Sequence, residues 1–289
     1  MEIPNVEFQP PTKNSIGIEV IELDQLYARS FKDHDPSMPH RVEFHCLIYI
    51  EKGSGSHFID FNKYPIGEGS LIFVNKHQLN AFDFKNQPKG KLILFTEDFI
   101  EGVRTNIRTP LFAPTHLTTS YMPVFTLSDS VKISCEALLQ EINREQNNPN
   151  CEKQIIQLLF MSLLLILTRE RPSVYSNHLS ESRVKKFLQF MSLIEESFIS
   201  TRDASIYANM MHMTYKSLNQ ICKLASNQTA KQLIDAHTVL EAKRKLVVES
   251  IQVQTLAYEL GFDEVTNFIK YFKKHTLLTP SQFKASLKG

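Results

Sequence analysis

Three lysines near the end of the chain are the residues whose type and spacing most suggest a chemical task. Lys270, Lys273 and Lys274 lie within five consecutive positions, on a segment whose apolar residues recur at helical spacing: Phe268, Ile269, Tyr271 and Phe272. Ammonium groups on one helix can bind an anion such as phosphate. The alternative is that the three lysines form the solvated face of an ordinary surface helix.

The chain just before these lysines has the spacing of a tight turn between two helices. Ala257 is a small residue that lets a second helix approach closely, and Gly261, four positions later, permits the left-handed conformation that redirects the chain. Asp263 then suits the N-cap of the next helix. The segment predicts a helix-turn-helix, whose second helix enters the DNA major groove. A surface helical hairpin is the alternative, because many helix pairs need a small residue and a glycine cap.

A degenerate copy of this pattern lies upstream. Ala208 precedes Ala257 by 49 positions, and His212 stands where the second copy has Gly261. One residue is then gained, and the match continues at a spacing of 50: Leu218 with Phe268, Cys222 with Phe272, Lys223 with Lys273, and 229–233 with 279–283. Histidine is enriched at positive φ, so the first turn is predicted to form with more strain than the second. The repeat predicts two helix-turn-helix units, at about 203–223 and 252–274.

Residues from about 182 to 289 resemble the DNA-binding domain of the AraC/XylS family, in which a long helix joins two helix-turn-helix units. The matching positions are Ala257, Gly261, Phe262, Phe268, Phe272, Lys273, Lys274, Thr279, Pro280 and Phe283. The sequence departs from the family pattern at Leu277, where glycine is usual. The resemblance implies that eight residues pack the turns and helix pairs: Ala208, His212, Ala257, Gly261, Phe262, Phe268, Phe272 and Pro280.

The resemblance also implies which residues contact DNA. The base-contacting positions of the family fall on Lys216, Asn219 and Gln220 in the first recognition helix and on Thr266, Asn267 and Lys270 in the second. Lysine can donate to guanine, whereas asparagine and glutamine can pair with adenine. Phosphate contacts are predicted for Thr214, which also caps the first recognition helix, and for Lys223, Lys273 and Lys274.

The distribution of charge supports DNA binding by the C-terminal part of the chain. The 289 residues carry a formal net charge of only +1, but residues 181–289 hold 15 Lys and Arg against 10 Asp and Glu, whereas residues 1–180 hold 17 against 21. This length predicts two domains, and a basic domain joined to an acidic one fits DNA binding on one side only. The four scattered cysteines, Cys46, Cys135, Cys151 and Cys222, are expected to be reduced core residues.

The N-terminal part has the pattern of short strands, from Val42 to Phe99. Apolar or alternating runs are separated by turn-forming residues, which predicts a β-barrel or jelly roll. The segments 53–55 and 64–70 resemble the cupin-like sensor domain of the same family, which often holds a small-molecule effector. His45 and Lys52, polar residues on otherwise apolar strands, are predicted to contact that effector.

Two helices are predicted between the sensor and the DNA-binding domain. The second, at about 152–170, is apolar on nearly every face and must therefore be buried. It is buried either within its own domain or in a homodimer contact, and the resemblance favours the homodimer. The predicted domains are a sensor barrel at 1–125, a helical packing or dimerisation region at 126–170, a polar linker at 171–181 and the DNA-binding domain at 182–289.

The predicted fold is thus α+β: a cupin-like barrel or jelly roll followed by helices, then an all-α double helix-turn-helix domain. The predicted function is an effector-responsive, sequence-specific transcriptional activator, without enzymatic activity, that binds double-stranded promoter DNA and RNA polymerase as a homodimer. The most apolar run, 155–167, is shorter than the roughly 20 residues of a membrane span, and the first residues lack the pattern of a signal peptide. We therefore expect a cytoplasmic protein.

Two other functions remain open on the residues alone. A cupin enzyme would bind a metal through a His-x-His pair, but His40 and His45 are five positions apart, so no metal or other cofactor is expected. An interaction protein could instead use its basic helices to bind an acidic partner. The sustained repeat and its closing segment, 279–283, argue against both.

Overall fold

The computed structural model describes residues 3–9, 16–31, 34–104, 123–170, 180–248 and 251–286. Contacts divide the chain into two compact units. We call the described residues 4–170 the N-terminal unit and the described residues 180–286 the C-terminal unit. Of the predicted linker, residues 171–179 lie outside the described residues.

Two five-stranded sheets form the frame of the N-terminal unit. The first has the order β1 (Asn5–Val6), β3 (His40–Val42), β8 (Leu79–Ala81), β5 (Gly55–Ile59) and β6 (Asn62–Ile66). The second has the order β10 (Val124–Thr126), β7 (Ser70–Val74), β4 (His45–Lys52), β9 (Lys89–Phe95) and β2 (Ile18–Glu22). All described pairs are antiparallel except β1 with β3. The strand pattern is confirmed, but the two sheets are open and do not close into one barrel.

One apolar core joins the two sheets. Ile48 of β4, Ile59 of β5 and Ile72 of β7 belong to the same buried cluster, although β5 lies in the other sheet. Successive side chains of a strand point to opposite faces, so Leu47 and Tyr49 lie on the far side of β4. The second sheet is therefore buried on both faces, which explains the nearly continuous apolar sequence of its strands.

Helices cover that far side of the second sheet. They are α2 (Glu97–Arg104), α3 (Asp129–Gln146) and α4 (Lys153–Glu170), and a short α1 (Leu23–Ala28) follows β2. The ring of Phe160 on α4 lies 5.0 Å from that of Phe95 on β9, measured between centroids. Tyr49 donates a hydrogen bond of 2.8 Å to Glu136 on α3. These contacts make the helices part of the N-terminal unit.

Helix α4 is apolar on nearly every face, but only one of its faces is buried within the N-terminal unit. Five apolar side chains are fully covered: Ile156, Phe160, Leu163, Leu164 and Leu167. Ile155, Leu158 and Leu165 remain exposed, at 44%, 56% and 46% of their surface. These three residues, which we call the α4 stripe, recur at the three- and seven-residue spacing of a helix face.

The C-terminal unit consists of seven helices. They are α5 (Glu181–Ser197), α6 (Ala204–Met210), α7 (Tyr215–Ser226), α8 (Ala230–Val248), α9 (Val253–Glu259), α10 (Val265–Thr276) and α11 (Pro280–Ser286). Helices α6 and α7 form one helix-turn-helix pair, α9 and α10 form the other, and α8 connects them. The predicted α+β layout, with sheets followed by an all-helical C-terminal part, is confirmed.

The ends of the two recognition helices show why the departure at Leu277 matters. Leu277 ends α10 in the left-handed conformation, with φ +65°, and Asn227 ends α7 in the same way, with φ +58°. Asparagine tolerates this conformation, whereas leucine is strained there. Leu277 is also 83% exposed, so its side chain gains little from packing.

We expect Leu277→Asn to raise the free energy of unfolding by about 0.5–1 kcal/mol, because a left-handed residue other than glycine costs roughly 1–2 kcal/mol and asparagine relieves part of that cost. Urea unfolding followed by circular dichroism measures the change. The matched control, Asn227→Leu, should destabilise by a similar amount. A destabilised Leu277→Asn variant would contradict the strain argument.

Candidate nucleic-acid interface

Both helix-turn-helix units use the same hydrogen-bonded turn. In the second unit the Phe262 N–H donates to the Ala257 carbonyl at 3.0 Å, and the Gly261 N–H donates to Tyr258 at 2.9 Å. In the first unit the Met213 N–H donates to Ala208 at 3.0 Å, and the His212 N–H donates to Asn209 at 3.0 Å. This is a Schellman motif, which requires a left-handed residue just after the helix.

The left-handed residue differs between the two turns. Gly261 has φ +72° and His212 has φ +51°, which confirms the prediction that histidine adopts the glycine conformation. A Cβ atom on Gly261 would lie 2.0 Å from the backbone oxygen of Ile199, far inside van der Waals contact, and would clash with it. His212 is exposed, so its side chain extends into solvent. Glycine at 261 is therefore required both by conformation and by the close approach of a neighbouring backbone.

The interior of each pair is built from the residues predicted to pack it. Ala208 and Ala257 are 1% and 0% exposed, as expected of small residues at a helix crossing. Phe262, Phe268 and Phe272 are also buried, and Phe268 lies 5.3 Å from Phe262 and 5.9 Å from Phe272 between ring centroids. Pro280 is buried at the start of α11.

The caps of the two recognition helices are not alike. The Thr214 hydroxyl caps α7 by accepting a hydrogen bond from the Ser217 N–H at 3.1 Å. The predicted cap Asp263 does not cap α10; that position is taken by Glu264, whose side chain accepts no capping hydrogen bond. The gain of one residue between the copies accounts for this shift of the helix start.

Most predicted DNA-contacting side chains lie on exposed faces of the recognition helices. Lys216, Gln220 and Lys223 are exposed on α7, and five residues are exposed on α10: Thr266, Asn267, Lys270, Lys273 and Lys274. In both helices the opposite face carries the core residues, such as Leu218 and Phe268. Each recognition helix thus presents amide, hydroxyl and ammonium groups on the side that does not pack.

Asn219 differs from the other predicted base contacts. It is half-buried, and its Oδ1 accepts a hydrogen bond of 3.0 Å from the backbone N–H of Ala230, at the start of α8. At the repeat spacing of 50, Asn219 corresponds to Ile269, and the exposed Asn267 corresponds to Ser217. Ser217 is exposed on α7, at the position that the repeat register places opposite Asn267.

The inner side of α10 is held to α8 by a polar cluster. Asp235 on α8 accepts a hydrogen bond of 2.7 Å from the Tyr271 hydroxyl and lies 3.7 Å from His275 Nε2. The ammonium group of Lys231 also forms an ion pair with the Asp235 carboxylate. Burial, together with the hydrogen bond to Asp235, raises the pKa of Tyr271. This cluster holds the inner side of α10 against α8, so the orientation of the exposed face of α10 relative to α8 is fixed.

The two residues predicted to contact an effector do not converge. His45 lies on the helix-covered side of the second sheet, since it alternates with Cys46 and Ile48 of the core, and its Nε2 is 2.7 Å from Glu97. Lys52 is exposed at the other end of β4, seven residues or roughly 23 Å away at about 3.3 Å per residue.

A different group of polar side chains is buried in the first sheet. His40, His57 and Asn80 come from β3, β5 and β8 and are 3%, 2% and 0% exposed. Asn80 Nδ2 lies 3.1 Å from His40 Nε2, and the ring of Phe82 packs at 5.1 Å against that of His57. His57 Nε2 and Asn80 Oδ1 form no hydrogen bond of good geometry among the described residues, although Asn80 lies close enough to His57 to oppose part of the lowering of its pKa. Burial lowers the pKa of His40 and of His57 to about 4, so both imidazoles are neutral at pH 7.

The described residues contain no group of three or more His, Cys, Asp or Glu side chains that could hold a metal ion. No described helix has the length and apolarity needed to cross a membrane. Cys46, Cys135 and Cys222 are buried, as predicted, and Cys151 is half-buried.

Each of the two units matches a known protein family. Residues 207–286 match a family described as a helix-turn-helix domain, and residues 25–88 match one described as an AraC-like ligand binding domain. The two matches support an AraC-family regulator with an N-terminal ligand-binding domain and a C-terminal helix-turn-helix domain. The chain binds DNA and regulates transcription, and its N-terminal unit is of the ligand-binding type.

Known relatives align with nearly the whole chain. The regulator is 21% identical over 292 residues to the HTH-type transcriptional activator RhaS of Shigella dysenteriae, with 99% of this chain and 98% of the relative covered. RhaS of Escherichia coli K12 is 21% identical over 290 residues, covering 99% and 97%. The crystal structure of ToxT from Vibrio cholerae is similar at a TM-score of 0.44 and 14% identity, covering 86% of this chain and 91% of ToxT.

We expect Gly261→Ala to disrupt the second helix-turn-helix unit of the regulator, because the added methyl group meets the Ile199 carbonyl and the residue keeps a positive φ. The loss of unfolding free energy should exceed about 2 kcal/mol, and DNA binding should fall with it. Thermal unfolding and a gel-shift assay measure both.

His212→Gly serves as the control at the equivalent turn. It should leave the fold intact and remove strain, since glycine adopts φ +51° without a Cβ clash. If Gly261→Ala were as stable as the parent protein, the close approach would not constrain the turn.

Proposed function

We propose that this AraC-family regulator activates transcription, in response to a small molecule held by its N-terminal unit, by placing α7 and α10 in successive major-groove segments of one promoter. The observation that carries the proposal is the pair of matching turns that present two exposed polar helix faces from one compact unit. The relatives at 21% identity are transcriptional activators by name, which supports activation rather than repression.

The side-chain types indicate which residues contact bases and which contact phosphates. We assign base reading to Lys216, Ser217 and Gln220 on α7, and to Thr266, Asn267 and Lys270 on α10, with Asn219 positioning the start of α8. Amide groups pair with adenine and ammonium groups with guanine. Thr214, Lys223, Lys273 and Lys274 are assigned to phosphates, which supply affinity without sequence preference.

The regulator acts in the cytoplasm, contacts RNA polymerase at the promoter and catalyses no reaction of its own. The sensor occupies 1–125, the helical region 126–170, the linker 171–181 and the DNA-binding domain 182–289. The division of the described chain into two compact units supports the boundary at the linker, whereas the described parts of the sensor and the helical region lie in one unit.

The DNA contacts are tested on duplexes selected by the full-length protein from a random pool. Asn267→Ala should weaken binding to the selected site by about 1–3 kcal/mol and relax the preference at one base pair, because the lost side chain reads a base edge. Lys273→Ala should weaken binding to every sequence and reduce the slope of log K against log salt by about 1.

Asn209→Ala, an exposed residue of α6 outside the recognition helices, is the control and should change neither quantity. An Asn267→Ala variant that loses the same affinity for random DNA as for the selected site would contradict base reading. A wild-type protein that enriches no sequence from the pool would contradict the function as a whole.

For the effector, we propose that the uncharged pair His57 Nε2 and Asn80 Oδ1 binds hydroxyl groups of the small molecule. A neutral imidazole and an amide oxygen can both hydrogen-bond to a hydroxyl, and neither compensates a ligand charge. Buried polar atoms without partners are rare in folded proteins because each costs free energy unless it is satisfied.

We expect His57→Leu to abolish the effector response and to improve stability at pH 5. The pKa of folded His57 is about 4, below the ordinary value of 6.5, so the unfolded chain takes up a proton first as the pH falls. The free energy of unfolding of the parent protein is therefore not reduced by His57 above pH 6.5. Between about pH 6.5 and pH 4 it falls by roughly 1.4 kcal/mol per pH unit.

The variant lacks this loss, so its advantage over the parent protein should grow from pH 7.5 to pH 5 in thermal unfolding. The effector response is measured as the shift in melting temperature across a panel of uncharged hydroxylated small molecules. If a molecule that stabilises the parent protein stabilises His57→Leu equally, His57 is not part of the effector site.

The regulator is further proposed to form a homodimer through the α4 stripe. Its three apolar residues remain 44–56% exposed within the described part of the N-terminal unit, and the helix that carries them is otherwise firmly packed. Burying such a stripe against a second copy removes it from water, at about 25 cal/mol per Å² of apolar surface.

Leu158→Glu should therefore convert the dimer to a monomer, since a carboxylate in the apolar contact would lose its hydration without a partner. Analytical ultracentrifugation measures the mass. Ile133→Glu, at a residue 70% exposed on α3, is the control and should leave the mass unchanged. A monomeric parent protein, or a Leu158→Glu variant that stays dimeric, would exclude the stripe as the interface.

A further inference from the structure

One loop of the C-terminal unit touches both helix-turn-helix units. The loop joins α5 to α6, and its residue Arg202 lies two positions before α6 begins. The Arg202 Nη1 donates to the Leu260 carbonyl and its Nη2 to the Gly261 carbonyl, each at 2.7 Å. The guanidinium carbon lies 3.9 Å from the centroid of the Phe262 ring. Arg202 therefore contacts three consecutive residues of the second turn from the entrance of the first unit.

The chemistry of the contact suits arginine and no other residue. The carbonyls of Leu260 and Gly261 follow the C-terminus of α9, where peptide carbonyls lack helical partners and carry partial negative charge. The Schellman hydrogen bonds of this turn use other carbonyls, those of Ala257 and Tyr258. A planar guanidinium can bind two carbonyls in a fork and stack on an aromatic ring at the same time, whereas a lysine ammonium cannot.

The same loop meets the second turn at another point. The Ile199 carbonyl lies so close to Gly261 that it occupies space near the missing Cβ. The loop is itself anchored, because the Tyr207 hydroxyl on α6 donates to the Thr201 carbonyl at 3.1 Å. The α9–α10 turn is thus fixed against the start of α6 through side-chain hydrogen bonds and a backbone contact, in addition to the covalent link through α8.

We propose that Arg202 is a positioning residue that sets the separation and rotation of the two recognition helices, and so determines the spacing between the two DNA segments that the regulator can bind together. The inference rests on the proposed function, in which α7 and α10 read successive grooves. When two binding elements belong to one rigid body, the second binds at a high effective concentration only if the spacing of its site matches.

An alternative role for Arg202 is a direct phosphate contact. Arg202 also lines an open cleft with Asp203, Ser205, Tyr215 and Lys231, from which DNA could approach. The two roles differ in one measurable respect. A phosphate contact contributes equally whatever the spacing of the two DNA segments, whereas a positioning residue makes binding depend on that spacing.

The experiment uses the full-length protein and three sets of duplexes. The first is the two-segment site selected from a random pool by the wild type, and the second carries one or two inserted base pairs between the segments. The third is a pair of duplexes, each of which retains one of the two segments. Arg202→Lys keeps the charge but cannot form the fork. Arg183→Ala, an exposed arginine on α5, removes a charge from the same unit without touching the turn.

We expect the wild type and Arg183→Ala to lose about tenfold or more in affinity on insertion, because the second helix no longer reaches its segment. Arg202→Lys should bind the selected site about tenfold more weakly, lose less than about threefold on insertion, and bind single-segment duplexes as well as the wild type. Unchanged single-segment binding shows that both helix-turn-helix units are folded.

Three results would overturn the inference. In the first, Arg202→Lys keeps the full insertion penalty, so the spacing is set elsewhere. In the second, it binds all duplexes like the wild type, so the charge alone matters. In the third, it loses single-segment binding as well, so Arg202 supports the fold or contacts phosphate. A wild type that enriches no sequence instead refutes the proposed function and is recognised before any variant is compared.

Discussion

The C-terminal unit depends on the left-handed turn at Gly261 and on the backbone that presses against it. The turn redirects the chain from α9 to α10, and the Ile199 carbonyl fills the volume that a side chain would need. Because the same turn receives the Arg202 guanidinium, three constraints meet at one residue. The position of α10, and hence of its exposed polar face, follows from this contact and from the long helix α8.

The two copies of the motif solve the same geometric problem with different chemistry. The second turn has glycine and cannot accept anything larger, because a neighbouring backbone lies against it. The first turn has His212 with its side chain exposed, where the only requirement is a positive φ. The reverse difference occurs at the ends of the recognition helices, where Asn227 suits its left-handed conformation and Leu277 does not. The repeat has therefore kept backbone conformation more strictly than residue type.

The two sheets of the N-terminal unit bury different polar groups. The second sheet is covered on both faces, and its buried His45 pairs with Glu97, whereas the first sheet buries His40, His57 and Asn80 together. A polar group that is buried costs stability unless it finds a partner, so a protein that needs only a stable frame gains nothing from this arrangement. The arrangement is suited to recognising a polar ligand, which agrees with the ligand-binding family that this unit matches.

Much of the DNA-binding unit could be predicted because its determinants are local. Small residues, positive-φ positions and apolar spacing lie within a few residues of one another, so the order of Ala208, His212, Ala257 and Gly261 predicts two turns. The structure buries both alanines and gives both turn residues a positive φ. The strand pattern was also readable, because alternation and turn residues are local signals. The repeat aligns Ser217 with Asn267, whereas the resemblance implies a base contact for Asn219.

By itself, the sequence determined the α+β layout, the double helix-turn-helix and the face of each recognition helix, since these follow from periodicity and from conformational preferences of single residues. Only the tertiary structure decided that Asn219 binds the start of α8, that His45 lies outside the sheet-to-sheet core, that His57 and Asn80 meet, and that Arg202 contacts a turn 58 residues away. These are contacts between residues far apart in the chain. Their energies depend on distances that no local pattern encodes, so they appear only when the whole chain is packed.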